Sequence, residues 1–352
     1  MRPSAGAQEA RAPEAAWARP IVFQEGIVMK RRGLLAATAA LPVLWAAPLR
    51  ATPLPDTNLR VIFGYPPGGA GDFIARLVSE HAAKTLGRNV IVVNQPGATG
   101  LVAIDALRRA APDGTTIAMV PMTGAVLLPM VNSRARFDFM TDVDPVAHCV
   151  SYSLGFAVAP NTGVKTWPDF LAWARANPTK LLYGGSGLGS ISHLFGAMMK
   201  QVLGVDLQYV PFKGGAELNS AVMGGHVPLA IGVTSDFAEP HKAGRMQVLA
   251  VSSGQRDVSL PDVQTFVELG HKDLVSEPWF GFFAPPGTPE PLRAAWNGAI
   301  NAALTDPAVR DRMIRTGFMV GGGSGEALRE RMAGDKARWQ PVVTASGVKM
   351  DG

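Results

Sequence analysis

The segment best suited to chemistry is Tyr65-Pro66-Pro67-Gly68-Gly69-Ala70-Gly71-Asp72, set between a short apolar run and an amphipathic stretch. Successive glycines let the backbone approach a bound molecule closely. The first N–H groups of a following helix lack carbonyl partners, so the loop suits an anion. No Gly-Lys-Ser/Thr follows, which removes the P-loop, and the glycine spacing differs from the dinucleotide fingerprint. Asp72 reads as a ligand-facing group or, more plainly, as a helix cap.

A second loop, Tyr183-Gly184-Gly185-Ser186-Gly187-Leu188-Gly189-Ser190-Ile191-Ser192-His193, repeats the arrangement. Ser190 stands where the dinucleotide pattern needs its last glycine, and Leu188 stands where a nucleophile elbow centred on Ser186 needs one. Ser186 and Ser190 remain as hydroxyls beside exposed N–H groups, while His193, one turn into the helix, suits local bonding better than catalysis. Asn94-Gln95-Pro96-Gly97-Ala98-Thr99-Gly100 and Pro121-Met122-Thr123-Gly124 have the same character. The six histidines show no metal-binding spacing, Cys149 has no identifiable basic partner, and no carboxylate pair is set by local spacing. These residues point to binding without catalysis, metal or cofactor. An exported hydrolase using Ser186 or Ser190 is the enzymatic alternative.

Positioning these loops calls for alternating strands and helices. Strands are predicted at 59–63, 90–93 and 115–120, with helices over 72–86 and 101–110; a second set of strands is predicted at 156–159, 181–183, 207–210, 227–233 and 246–251, with helices over 167–176 and 190–203. A strong strand over 279–284 precedes two terminal helices, for which Thr288-Pro289 and Asp306-Pro307 supply start signals. The pattern is α/β with largely parallel sheets in two lobes, and ligands in such sheets sit beyond the carboxyl ends of the strands.

The chain has 352 residues, a net charge of +5 and one cysteine. Lys30, Arg31 and Arg32 precede an uncharged 16-residue run, Gly33 to Pro48. A span needs about 20 apolar residues, so this shorter, proline-containing run reads as a cleaved export signal, with a twin-arginine character in Arg31-Arg32-Gly33-Leu34-Leu35. Met29 fits a true start. Residues 1–51 carry seven Lys/Arg and three Asp/Glu, and their removal leaves a net charge of +1. No basic field for nucleic acid remains.

Gly64-Tyr65-Pro66-Pro67-Gly68-Gly69-Ala70-Gly71-Asp72, Val93 to Gly100, Ala111-Pro112-Asp113-Gly114-Thr115-Thr116 and Gly187-Leu188-Gly189-Ser190 with His193-Leu194 form an ordered set. It continues through Val210-Pro211-Phe212-Lys213-Gly214-Gly215, Leu249 to Ser252, Pro261 to Thr265, Trp279 to Pro289 and Asp306-Pro307. The set resembles the extracytoplasmic solute receptors of tripartite tricarboxylate transporters, the Bug receptors, over nearly all of the mature chain. The resemblance implies a two-lobed type II periplasmic-binding-protein fold, with 52–155 plus 282–352 as one lobe, 156–281 as the other, and the ligand between them. It implies a monomeric periplasmic receptor that captures a small carboxylate-bearing metabolite for the membrane subunits of a transporter, or alternatively presents it to a sensor kinase. By motif it points to Tyr65, Pro67, Gly68, Gly69 and Asp72 on the first lobe, to Ser186, Gly189 and Ser190 on the second, and to Thr123, Gly124, Thr234 and Ser235 as further wall. The sequence departs from the family at Pro228, where Asp is usual, and at Gly232 or Val233, where an acid is common. Proline there suggests an edge strand or an altered loop.

Overall fold

The computed structural model describes residues 54–350; the export-signal reading, with its basic cluster and Met29, lies outside the described residues. β1 (Leu59–Phe63) buries every residue except Arg60. α1 (Ala70–Leu86) presses Ile74, Leu77 and Val78 into the core and stops where Gly87 takes φ 61°, a left-handed C-cap that costs glycine nothing. β2 (Val90–Asn94) and, after α2 (Leu101–Arg109), β3 (Thr116–Pro121) pair in parallel with β1 on either side. A wide helical turn over Thr123–Leu127 leads into the short α3 (Leu128–Val131), and β4 (Asp144–Tyr152) follows.

The second sheet begins at once with β5 (Leu154–Val158). α4 (Trp167–Ala176) carries a full capping box, with Thr166 and Asp169 exchanging side-chain and backbone hydrogen bonds. Then come β6 (Leu182–Ser186), α5 (Ile191–Leu203), β7 (Gln208–Phe212), α6 (Gly215–Met223), β8 (Leu229–Val233), α7 (Thr234–Lys242) and β9 (Gln247–Val251). The return brings β10 (Trp279–Ala284), α8 (Glu290–Thr305), α9 (Pro307–Arg315), β11 (Phe318–Val320) and α10 (Gly325–Ser346).

The strand orders are β11-β4-β10-β3-β1-β2 and β7-β6-β8-β5-β9. Helix-linked strands run parallel, as β6 does with β7 and β8, whereas the strands nearest the crossovers run against their neighbours: β10 against β3 and β4, and β5 against β8 and β9. The sheets are therefore mixed, where the sequence pattern suggested largely parallel ones. Each sheet contributes aromatic pairs to one continuous core. Tyr152 stacks on Phe280 at 5.0 Å in the first, and Phe156 meets Phe170 at 4.7 Å in the second. Burying each such ring is worth about 2–3 kcal/mol.

Only Ser153 separates β4 from β5, so one crossing is almost direct. The other runs from β9 to β10, and the two are tied side by side. Tyr152 N–H donates to Pro278 O at 2.9 Å and Ser252 N–H to Leu154 O at 2.8 Å. The Ser252 hydroxyl accepts from Leu154 N–H and donates to Ser276 O, while Ser153 donates to the buried Asp257 carboxylate. The crossover is thus a fully bonded polar seam inside an apolar surround.

Three further expectations change. The C-terminal region holds three helices, because α10 has apolar residues on a stripe too narrow to stand out: Leu328, Met332, Trp339 and Val343 are its buried residues. Pro228 does not mark an edge. β8 lies between β6 and β5, and Pro228 stands just before it, where its carbonyl accepts Ala159 N–H at 2.8 Å and its missing N–H disturbs no ladder. Asp306 caps α9 through Val309 N–H as its sequence suggests, whereas α8 starts at Glu290 and the Thr288 hydroxyl turns back to Pro285 O.

Candidate functional site

The carboxyl ends of the parallel strands and the helices that follow them border one cleft of about 320 Å³. Three helix starts reach it: Gly69-Ala70-Gly71 opening α1, Ser190-Ile191-Ser192 opening α5, and Gly214-Gly215-Ala216 opening α6. Gly69 and Gly214 occupy the N-cap positions of α1 and α6, and neither helix has a side-chain cap. Both helices bring their positive ends to the cleft lining, an arrangement that favours negative charge by about 0.3–1 kcal/mol per helix end, and at α1 the Asp236 carboxylate already takes the first N–H. Between these polar rims the surface is apolar, supplied by Phe63, Tyr152, Leu154, Val233 and Phe280. The site can hold an anionic group at its walls and a hydrocarbon body across its floor.

Asp72 organises the first wall. Its Oδ2 accepts Gly68 N–H at 3.1 Å and Arg76 Nε at 3.0 Å, and its Oδ1 accepts Arg76 Nη2 at 3.0 Å and Asn94 Nδ2 at 2.8 Å. Burial raises the carboxyl, but the Arg76, Asn94 and Gly68 hydrogen bonds outweigh it and hold Asp72 below the usual carboxylate range. Asn94 also donates to Tyr65 O at 3.0 Å. The glycine loop is thereby pinned at both ends, and Gly68 within it takes φ 94°.

Three hydrogen bonds join the walls, and a fourth ties the first wall to itself beside Gly189. Ala70 N–H donates to Asp236 Oδ1 at 3.1 Å, Ile191 N–H to Thr123 Oγ1 at 3.2 Å, Thr99 Oγ1 to Leu188 O at 2.9 Å, and Met350 N–H to Val131 O beside Gly189 at 2.7 Å. The Thr99 contact is made from a left-handed backbone, Ala98 at φ 46° and Thr99 at φ 56°. Burial pushes the Asp236 carboxyl up to about 6, further than the Ala70 N–H draws it down.

Of the residues singled out by sequence, Tyr65, Pro67, Gly69, Asp72, Thr123, Ser186 and Ser190 line the cleft together. Gly68 and Ser235 border an adjoining groove that shares Gly69, Ala70 and Asp236 with the cleft. Gly124 packs against Val120 and Ile104, and Gly189, at φ 70°, packs against Val131 and Met350. Thr234 is buried, bonded to Ser153 at the crossover. Sequence reasoning did not single out Asp236, Glu217, Tyr152 or Phe280 for the site. Lys213-Gly214-Gly215 appeared only as a family motif, and Asp236 was not marked by any local pattern.

The remaining reactive groups are held in local roles. Ser190 Oγ caps α5 by accepting His193 N–H at 3.3 Å, and the His193 ring accepts Gly189 N–H at 3.2 Å while stacking on Tyr209 at 4.0 Å. Burial lowers His193 to about 4, so it is neutral at pH 7. Cys149 is fully buried in β4 and burial raises its thiol. Among the described residues no cluster could hold a metal ion, and no helix is long and apolar enough to cross a membrane.

Residues 74–348 match the family described as tripartite tricarboxylate transporter family receptor. The chain belongs to that family. The structure of the periplasmic binding protein BugD superposes with a TM-score of 0.79 at 27% identity, covering 84% of this chain and 99% of that one. An R. palustris protein solved with adipate gives 0.81 at 26% identity, covering 84% and 99%. MatC from Rhodopseudomonas palustris, with bound malate, gives 0.77 at 27% identity, covering 82% and 99%. The two-lobed α/β architecture is therefore that of the periplasmic binding proteins, and in the tripartite tricarboxylate receptor fold seen here the cleft falls between the two sheets.

Proposed function

We propose that this receptor captures a small carboxylate-bearing metabolite in the periplasm, closes around it, and delivers it to the membrane subunits of a tripartite tricarboxylate-type transporter. The observation that carries the reading is the convergence of the starts of α1, α5 and α6 on one cleft with an apolar floor. Helix ends hold carboxylates without a cationic clamp, and the adipate and malate of two similar proteins are carboxylates. With 52–155 plus 282–352 moving as one lobe and 156–281 as the other, a ligand that touches both walls favours the closed state by its differential affinity. The bonded seam at Ser153 and Ser252 serves as the pivot.

Isothermal calorimetry against dicarboxylates, tricarboxylates, amino acids and aromatic acids tests capture. At least one carboxylate is expected to bind at micromolar Kd or tighter, and failure across the panel refutes the reading. Uptake in cells lacking the transporter's membrane subunits tests delivery. Loss of uptake on deleting either the receptor or those subunits is expected; ligand-dependent gene expression without uptake would assign the protein to a sensor kinase instead.

A further inference from the structure

The charged side chains of the cleft do not sum to what a dianion needs. Those that line it are Asp72, Lys213, Glu217 and Asp236. Asp72 is neutralised by its two-pronged contact with Arg76, which leaves Glu217 and Asp236 against Lys213. Glu217 faces the loop's own backbone, accepting Lys213 N–H at 2.7 Å. Asp236 differs from both other acids. Oδ1 accepts the Ala70 N–H, and no protein group among the described residues donates to Oδ2. Oδ2 lies against Gly215, where even a methyl group would come within 2.1 Å of it, so the missing side chain at 215 makes the room it occupies. An acceptor half-buried at an apolar floor and left with an unused lone pair calls for a donor.

Building on the receptor reading, we propose that Asp236 is a specificity-determining residue that selects an ammonium-bearing monocarboxylate with an apolar body over a plain dicarboxylate. The ligand's ammonium donates to Asp236 Oδ2 beside the starts of α1 and α6, its carboxylate faces the start of α5 with the Ser186 and Ser190 hydroxyls, and its hydrocarbon part rests on Tyr152, Leu154 and Phe280. Such a zwitterion adds no net charge to a cleft that already carries one excess negative charge, whereas a dicarboxylate adds two. A site built around an acceptor rejects the analogue that lacks the matching donor, because the acceptor is then desolvated without a partner.

Calorimetry on the intact protein with L-leucine, L-phenylalanine, their des-amino counterparts 4-methylpentanoate and 3-phenylpropanoate, adipate and malate tests this directly. At least one amino acid is expected to bind about tenfold or more tightly than its des-amino counterpart. Asp236→Asn, which keeps the shape of the side chain, should reduce that ratio below about threefold. The wild-type comparison stands even if the variant folds poorly. Binding of adipate or malate without either amino acid, or equal affinity for the paired acids, overturns this inference and leaves the receptor reading intact. Failure of every acid in the wider panel overturns both. An unchanged ratio in a folded Asp236→Asn protein removes Asp236 as the determinant.

Discussion

Asp236 and Ala70 stand on opposite walls of the cleft, and the carboxylate on α7 accepts the first free N–H of α1 at 3.1 Å. A side chain of the second lobe thus answers the dipole of a helix in the first. Its protonation state alters a hydrogen bond that joins the two walls.

Asp236 is raised from 3.8 to about 6 by burial. Between those values the folded chain binds a proton that the unfolded chain has lost, so the stabilising contribution is full below about pH 4 and disappears as pH rises through 6. Asp236→Asn abolishes the titration. Thermal melts from pH 4 to pH 7 should show the variant gaining on the wild type by about 1–2 kcal/mol, a figure reduced for the group's partial exposure. A difference that stays constant with pH would show that the carboxyl is not raised.

Ala98 is exposed and holds φ 46°, a conformation that costs a residue with a Cβ about 1 kcal/mol and glycine almost nothing. Ala98→Gly should raise the melting temperature by about 1–3 °C. Thr99→Ala keeps that backbone but deletes the bond to Leu188 O across the cleft rim. Stopped-flow measurements should show faster ligand release in Thr99→Ala and little change in Ala98→Gly.

The Asp72 carboxylate joins the glycine loop, α1 and β2 through four hydrogen bonds. Asp72→Ala leaves Gly68 N–H and the Asn94 amide without their acceptor, at a cost of about 2–4 kcal/mol. Chemical denaturation should register that loss, and calorimetry should show weaker ligand binding because the loop is no longer pinned. Wild-type stability in the variant would refute the role assigned to Asp72.

Two helix glycines should respond in opposite directions. A Cβ at Gly196 would lie 2.2 Å from the Tyr183 ring, whose hydroxyl donates to His193 O, so Gly196→Ala forces α5 off β6 at about 1–3 kcal/mol. Gly298 in α8 has open space around it, and Gly298→Ala should gain about 0.5–1 kcal/mol from helix propensity. Matched urea titrations of the two variants check both signs.

Most helix-linked strands were legible because β-branched runs bounded by Gly and Pro are a local signal, as in Val90 to Val93. β4 escaped notice although it is the hub of the first sheet. Its Asp144-Pro145 start and central His148 interrupt the apolar pattern, and its partners β10 and β11 lie far along the chain. The glycine loops at 65–72 and 184–190 announced themselves by composition. Asp236 could not, because an acid in the first turn of α7 looks like any helix-start acid until α1 and Gly215 are packed against it. Pro228 misled for a related reason: only the register shows that it precedes β8 instead of interrupting it.

The chain's one cysteine, Cys149, lies at zero exposure in β4. A maleimide dye therefore finds no native target on the folded protein. The wild-type sequence is a ready background for single-site labelling, and a dye on Leu188→Cys, at the exposed rim of the cleft, would report ligand binding as an optical signal without any prior removal of thiols.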